Sequence, residues 1–501
     1  MSTEPGVKLY EMLSVKAEDI KPNVLDMVPV DMYPTRDAYA SIMEGVEKLS
    51  KGYTISWPWI SIIGYYGSGK TFVLRKAAHD AVNKYENIIP IYFYLGEKNA
   101  INLFTSLGKY IEEIRRYVES SGNYVSPKIV GHVEAWRKKI EVLSSTYSEV
   151  QKAMSGEKSE ILKFAEAMKQ LNSKGYIPLI ILDEFERLIR TGEGFEDEQS
   201  YTSFVEFSKY SLEMSRGHLF RSVTVLGLTK SINELLEEVE KRKEQKEEKE
   251  PLPPYVRKIE DKFGRPFSAL DIGSESVTSA MKTYKLQWDF FALEQLCKSI
   301  GITLPLDIIR MIGNTLPTPR AVLQIYSRLS KERGEKAGFV EQKMIYEIIR
   351  PRWESLRARL LTEKLDNRRP LIMGQARWDE QFEKLLSNGI FVINFRDAGL
   401  LSKVAEALGL PTGDERALRT KVRNLANNLS NYGLLERVEK NTYAVSKQLF
   451  AYFLDIERLP GGELATLKAV VDSLKDHIKA VREGRKKYKA KKEESKKELG
   501  E

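Results

Sequence analysis

Gly64-Tyr65-Tyr66-Gly67-Ser68-Gly69-Lys70-Thr71 is the stretch on which the fold turns. It follows a short apolar run, Trp57 to Ile63, that reads as a buried strand. It opens into Phe72-Val73-Leu74-Arg75-Lys76-Ala77-Ala78, whose spacing and composition suit a helix. Strand, glycine-rich turn and helix in that order make a P-loop. The glycines let successive backbone N–H groups turn inward around a phosphate, and the helix N-terminus adds partial positive charge. In such a loop Lys70 reaches the β- and γ-phosphates and the Thr71 hydroxyl sits on Mg2+. All eight residues, Gly64, Tyr65, Tyr66, Gly67, Ser68, Gly69, Lys70 and Thr71, are therefore expected to bind ATP.

A second segment supplies the acidic partner. Ile177 to Leu182 is an apolar run that ends in Asp183-Glu184. A strand delivering two carboxylates at its C-terminal end suits a P-loop. Asp183 is expected in the Mg2+ shell, and Glu184 is expected to orient and activate the attacking water. The second carboxylate favours hydrolysis over binding alone.

Further strands are readable at 88–95 and 222–228, with a fifth expected at 267–272. Helical patterns fill the intervals at 101–120, 131–153 and from Ile161 to Leu171. Strands alternating with helices predict a parallel sheet covered on both faces. Ahead of the sheet, Tyr33-Pro34-Thr35-Arg36-Asp37 starts a helix with Thr35 as N-cap. Residues 235–250 are a charge run, read as a solvated helix or loop. From Trp288 to Ile349 the pattern is helical, broken at Gly301, Leu304-Pro305 and Leu316-Pro317-Thr318-Pro319.

Residues 376–456 have a different character. Phe382, Leu385 and Leu386 mark one helix. Leu400, Val404 and Leu408 mark a second, ended by Gly409. A third runs from about Glu415 to Tyr432. A hairpin follows, with its turn at Glu439-Lys440-Asn441-Thr442. Three helices and a hairpin predict a winged helix-turn-helix. In the third helix Leu418, Val422, Leu425 and Leu429 form one buried stripe. Arg416, Thr420, Arg423, Asn427 and Ser430 lie opposite, with Arg419 at the edge and no acid among them. Those side chains, with Arg437 and Lys440 on the wing, suit phosphates and base edges of double-stranded DNA. A solvated face or a protein-binding winged helix is the other reading.

The chain has 501 residues, is 42% hydrophobic and 30% charged, and carries a net charge of +8. The rear is basic: 351–501 holds 30 Lys/Arg against 22 Asp/Glu, so 1–350 sums to zero. That distribution suggests an acidic partner for the rear half. No apolar run approaches the ~18 residues of a membrane span. The N-terminus lacks a secretory pattern and cysteine occurs once, at Cys297. Both suit a cytoplasmic, reducing environment. Four scattered histidines and one cysteine argue against a zinc site.

The order of P-loop, Asp-Glu strand, helical segment and winged helix resembles the archaeal origin-recognition initiators, a family of AAA+ ATPases. The resemblance covers roughly 30–456. It implies an α/β AAA+ P-loop domain over 31–272 after an irregular leader at 1–30. A helical lid at 273–350, a linker at 351–375, the winged helix at 376–456 and a helical basic tail at 457–501 complete the expected organisation. Tyr33-Pro34-Thr35-Arg36 looks like the family's segment near the adenine, which places Arg36 at the nucleotide. Leu316-Pro317-Thr318-Pro319-Arg320-Ala321-Val322 looks like its sensor-2 segment, with Arg320 reaching the γ-phosphate. Thr229, in Leu228-Thr229-Lys230-Ser231, stands where the family often has a sensor-1 Asn. Arg257 and Arg265 are the candidates for an arginine finger acting on a neighbouring copy, so the resemblance implies self-association through the ATP site. The long 97–176 insertion and the 235–250 charge run depart from the family pattern, as a divergent member or a plasmid- or virus-borne cousin would. Three functions fit the order of motifs. They are a replication initiator switched by ATP, a mobile-element ATPase that assembles on DNA and recruits a partner, and a signalling ATPase whose winged helix binds protein.

Overall fold

Trp59–Gly64 is buried along its whole length and forms β1, the strand that leads into the glycine-rich turn. The computed structural model describes residues 21–57, 59–95, 103–126, 128–157, 160–185, 220–231, 234, 281–302, 304, 306–333, 342–366, 369–370, 378–456 and 464–498. Within them β1 shares a sheet with β2 (Ile88–Tyr94), β3 (Ile177–Asp183), β4 (Val223–Leu228) and β5 (Met281–Leu286). The order is β2-β3-β4-β1-β5, and every neighbouring pair is parallel. Strands β1 to β4 are almost wholly apolar and buried, as a sheet covered on both faces requires. The C-terminal ends of β1, β3 and β4 consequently lie along one edge, where open α/β sheets bind ligands.

Helices α1 (Arg36–Ser50) and α2 (Lys70–Lys84) pack on the strands. The insertion between β2 and β3 holds α3 (Leu103–Glu119), α4 (Val133–Ala153) and α5 (Glu160–Ser173). On α3, Leu103, Leu107, Tyr110, Ile114 and Tyr117 are all buried, and they recur every three or four residues as one helix face requires. These helices fall where the sequence predicts them.

Three expectations for this unit need correction. The fifth strand of the sheet is Met281–Leu286, while 267–272 lies outside the described residues, so the sheet runs past the boundary expected at 272. The leader is not irregular throughout. Pro22–Leu25 is one turn of helix, and Val24, Leu25, Val28 and Val30 are buried. Thr35 stands at the N-cap of α1 but does not cap it. Its hydroxyl turns back to the carbonyls of Val30 and Met32, each 3.0 Å away. The charge run at 235–250 lies outside the described residues.

The chain divides into two units, Met1–Gln287 and Trp288–Glu501. The second begins with α6 (Phe290–Ser299), α7 (Leu306–Thr315), α8 (Pro319–Arg333) and α9 (Gln342–Thr362). Here too a boundary moves: α9 runs through the expected lid–linker junction with Pro351 inside it, so 351–362 is helix and not linker. A short ladder of β6 (Lys364–Asp366) and β7 (Arg369–Pro370) follows.

Next come α10 (Trp378–Ser387), β8 (Val392–Asn394), α11 (Ala398–Leu408), α12 (Glu415–Asn431), β9 (Leu435–Glu439) and β10 (Thr442–Val445). The three strands form an antiparallel sheet in the order β8-β10-β9. This is a winged helix-turn-helix with a first strand, β8, that the sequence reading lacks. Asp397 and Asp414 cap α11 and α12 by accepting backbone N–H groups, the usual role of an aspartate at that position. Gly409 ends α11 in the left-handed region, at φ 63°, where glycine carries no steric penalty. Helix α13 (Lys447–Phe453) and the long α14 (Leu467–Glu498) close the unit. The expected class, an α/β P-loop parallel sheet followed by helices and a C-terminal winged helix, is what the chain folds into. Among the described residues, no helix is long and apolar enough to cross a membrane.

Candidate functional site

The P-loop turn is built by its glycines. Gly67 adopts a φ of 80° and Gly69 a φ of 92°, a region that costs any other residue energy. Gly69 is the N-cap of α2, so Lys70 and Thr71 open the helix. The first N–H groups of that helix face the loop without partners in the helix itself. The Lys70 side chain is buried. Its ammonium donates to the Gly64 carbonyl and to the Tyr65 carbonyl at 3.2 Å, and it lies 5.6 Å from the centroid of the Tyr66 ring. These contacts keep a buried charge solvated by the loop itself.

On the far side of β4 from β1, Asp183 ends β3 and is fully buried. Its Oδ2 accepts from the Tyr92 hydroxyl at 2.7 Å, and its Oδ1 accepts from the Glu184 N–H at 3.0 Å. Burial raises its pKa, opposed by hydrogen bonds from Tyr92 and Thr71 and by the charge of Lys70. The structure thus brings together the Lys70, Thr71 and Asp183 that the sequence placed at one site. Thr71 hydroxyl and Asp183 carboxylate are hard oxygen donors, the set that suits Mg2+. Glu184 follows with a φ of 57°, a left-handed conformation unusual for a residue with a side chain. Such strain is concentrated at functional positions. Tyr94 donates weakly to Glu184 Oε1 at 3.4 Å.

Three contributors escaped the sequence reading. Tyr92 and Tyr94 sit two apart on β2 and therefore on one face, each against one carboxylate. The only signal was their alternation on the strand beside the acidic one. Gly227 is the third. A Cβ there would stand 2.8 Å from Asp183 Oδ1 and 2.8 Å from Leu74 Cδ1, so β4 can lie against the carboxylate only without a side chain. Two residues on, Thr229 is buried, and its Oγ1 has no hydrogen-bond partner among the described residues. Buried hydroxyls ordinarily find a partner, so this one is an exception in the fold.

Helix α2 is also gripped from outside the sheet. The buried Arg75 donates to the Ile129 carbonyl at 3.1 Å. Gly131 N–H donates to His79 Nδ1 at 3.0 Å, and Asn83 Oδ1 accepts from His132 N–H at 3.0 Å. At the C-terminal end Lys139 donates to the carbonyls of Val82 and Tyr85. Burial pulls the Lys139 pKa down to about 8. Two of the histidines are not scattered after all: His79 and His132 converge on Asp26. With its Nδ1 lone pair taken by Gly131, His79 carries its proton on Nε2, since the bond at one ring nitrogen fixes the role of the other. It donates that proton to Asp26 Oδ1 at 2.7 Å. A metal at Nε2 would have to displace the proton, so the trio reads as a hydrogen-bonded tie from the leader to α2.

The other arginines read from the sequence are dispersed. Arg36 opens α1, more than half exposed, and pairs with Asp37 at 3.0 Å. Arg320 is exposed in the first turn of α8, directly after Pro319. That helix is capped by Thr318, whose hydroxyl accepts from Ala321 N–H at 3.2 Å. Arg257 and Arg265 lie outside the described residues.

On the winged helix the predicted stripe of Leu418, Val422, Leu425 and Leu429 is buried. Arg416, Arg419, Thr420, Arg423 and Asn427 are exposed on α12, and Arg437 and Lys440 are exposed on the wing. The outer face is less bare than the sequence suggests. Arg419 is ion-paired to Glu415, and Asn427 Oδ1 accepts from the Tyr443 hydroxyl at 2.7 Å. Arg437 folds onto the carbonyls of Glu439 at 3.2 Å and Lys440 at 2.6 Å, bracing the turn. Arg423 lies 5.6 Å from the centroid of the Phe395 ring. Arg416 has no side-chain partner among the contacts of the described residues, and the Thr420 hydroxyl donates to its carbonyl at 2.9 Å.

No protein-family model and no curated protein sequence matches this chain. Solved structures do resemble it. The crystal structure of Cdc6p from Pyrobaculum aerophilum is 12% identical, covering 85% of this chain and 96% of that one, with a TM-score of 0.42. The Aeropyrum pernix ORC1 protein in complex with DNA is 13% identical over 86% and 94%, with a TM-score of 0.36. AMPPCP-bound DnaA from Aquifex aeolicus is 12% identical over 81% and 92%, with a TM-score of 0.30. At such identities and scores the likenesses do not bear on activity or partners, which rest on this chain's own residues.

Proposed function

We propose that the chain is an ATP-dependent DNA-binding protein of the replication-initiator type, in which ATP binding and slow hydrolysis switch DNA binding and assembly. The observation that carries the reading is the convergence of Lys70, Thr71, Asp183 and Glu184 beyond the C-terminal ends of β1 and β3, on either side of β4, in a chain that also bears a winged helix. The resemblance in motif order, stated above on those same residues, supplies the initiator class.

The loop N–H groups and the start of α2 cradle the phosphates of ATP. Lys70 exchanges the carbonyls of Gly64 and Tyr65 for β- and γ-phosphate oxygens. Thr71 and Asp183 would hold Mg2+, which when bound would neutralise charge on those phosphates. Glu184 accepts the proton of a water that attacks the γ-phosphorus, and ADP and phosphate leave. Tyr92 fixes the Asp183 carboxylate, and Tyr94 limits the swing of Glu184. Thr229 contacts the γ-phosphate region as sensor 1, Arg320 senses the γ-phosphate as sensor 2, and Arg36 lies by the adenine. Arg257 or Arg265 acts on the site of a neighbouring copy. Switching follows because these groups bind ATP and ADP differently.

The test is a set of three substitutions. Glu184→Gln should keep ATP binding while turnover falls by about two orders of magnitude or more. Lys70→Ala should lose nucleotide affinity, and Arg320→Ala should flatten the preference between ATP and ADP. Filter binding of the full chain to duplex DNA with ATP and with ADP, at two salt concentrations, completes the test. An unchanged hydrolysis rate in Glu184→Gln removes the catalytic assignment. Absence of DNA binding at about 50 mM salt leaves the signalling reading in its place. Binding without any sequence preference favours the mobile-element assembler.

A further inference from the structure

The basic excess of the rear half does not reside in the winged helix. Residues 376–456 hold 11 Lys/Arg and 10 Asp/Glu, close to neutral. The charge is concentrated in Arg485-Lys486-Lys487-Tyr488-Lys489-Ala490-Lys491-Lys492, where six of eight residues are basic and none is acidic. This stretch is helical, lying in the second half of α14.

The first half of α14 is a different object. Val470, Val471, Leu474 and Ile478 are buried. They recur at helical spacing and anchor the helix to its own unit. Over 467–484 there are four Lys/Arg and three Asp/Glu, so the anchored half is nearly neutral. The anchor sits against the end of α12. His477 Nε2 lies 2.8 Å from the Ser430 carbonyl, and a Cβ on Gly433 would stand 2.9 Å from Leu474 Cδ2. Lys475 pairs with Glu363 at 2.8 Å. The helix is therefore fixed beside the C-terminal end of the candidate recognition helix, and the basic run starts two turns after Ile478.

Within that run, Arg485 and Lys489, and Lys487 and Lys491, fall four apart. Like charges at that spacing disfavour a helix in water. The run has no aliphatic stripe to repay them, only Tyr488 and Ala490. A row of phosphates removes the penalty by neutralising the charges. Lysine predominates, which suits point-charge contact with phosphates and not the forked recognition that arginine gives to base edges.

We propose that residues 485–492 are a second nucleic-acid-binding element, a helical arm that lies along the phosphate backbone of duplex DNA beside the segment met by the winged helix. The proposal rests on the DNA-binding reading above and divides its labour. The arm supplies the salt-dependent, sequence-independent attraction, and α12 with the wing supplies register. Eight residues of helix span about 12 Å, which corresponds to about three or four further base pairs.

The test uses the full chain with Arg485→Gln, Lys486→Gln, Lys487→Gln, Lys489→Gln, Lys491→Gln and Lys492→Gln together, which preserves helix length and every buried anchor. A second form ends after Gly484. Both are compared with the parent in salt titrations of duplex binding. The slope of log K against log[salt] should become shallower by about three to five units, and affinity at low salt should fall at least tenfold. Nuclease footprints should shorten on one side. A slope within one unit of the parent's overturns the arm and leaves the winged-helix reading standing. Loss of all DNA binding in both forms keeps the arm and removes the winged helix as a DNA reader. A parent chain that binds no DNA removes both.

Discussion

Tyr92 donates its hydroxyl hydrogen to Asp183 at 2.7 Å, from β2 to β3, with both residues buried. The bond ties β2 to the carboxylate at the end of β3, the ligand proposed for Mg2+. A charged acceptor in a dry site depends on its few donors, so losing one costs more than losing a bond at the surface. Tyr92→Phe is expected to lower stability by about 1.5–3 kcal/mol in nucleotide-free protein. With Mg2+ and ATP present the loss should shrink, because the carboxylate then gains a cation. Thermal melts with and without Mg2+-ATP measure both numbers. An equal loss under the two conditions would show that Tyr92 is a packing residue with no link to the nucleotide site.

The His79 tie makes the first unit sensitive to mild acid. Burial lowers the His79 pKa, outweighing the hydrogen bond and charge of Asp26, and the charge of His132 acts in the same sense as burial. A depressed histidine stabilises the fold fully above its unfolded value of about 6.5, and this stability is lost as pH falls from there through the folded value. Asp26 is also shifted down. Burial raises its pKa, but its bonds and charge interactions with His79 and His132 outweigh that, so it stays ionised through the same window. Lys76 pairs with Asp80 nearby at 2.8 Å, and Asn83 Nδ2 lies 3.0 Å from His79 Nε2. The melting temperature is expected to drop between pH 7 and pH 5, and His79→Gln should flatten that profile. Parallel profiles for the two proteins would assign the acid sensitivity elsewhere.

What the sequence made legible was contiguous. The P-loop from Gly64 to Thr71, the Asp183-Glu184 strand end and the 418–429 stripe each sit within a dozen residues, so local pattern carries them. What it hid depends on register or on weak local signal. Tyr92 lies far from Asp183 in sequence, and only the β2–β3 pairing brings them together. Gly227 looks like any strand glycine until Asp183 is placed beside it. β8 has three residues, too few to show alternation. β5 is an edge strand with partly exposed Lys282 and Tyr284 and an exposed Thr283, whereas 267–272 has the apolar look of an inner strand. The helical reading stops at Ile349 with a linker expected from 351, yet α9 continues through Pro351 to Thr362. The tie of Asp26, His79 and His132 joins three distant segments, and no spacing rule could have found it.

The exposed residues of α12 and the wing divide into contacts and braces, and substitutions should separate them. Arg423 and Arg416 are exposed on α12, and on the proposed DNA-binding reading they meet phosphates, so Arg423→Ala should make the salt slope shallower by about one unit. Lys403→Ala, on the preceding helix, should leave it unchanged. Arg437→Ala should act differently. Its guanidinium holds the carbonyls of Glu439 and Lys440, so its loss loosens the wing and lowers both affinity and melting temperature. Asn427→Ala frees the Tyr443 hydroxyl at a cost of about 1 kcal/mol to stability. Any effect of that change on DNA beyond the loss shared by all sequences marks a base contact. The measurements belong on the full chain, because Trp353 of α9 packs on Phe382 at a centroid distance of 5.2 Å and on Phe453 at 6.4 Å. A fragment of 376–456 would leave those aromatic faces bare. Equal salt slopes for Arg423→Ala and Lys403→Ala would take α12 out of the DNA interface.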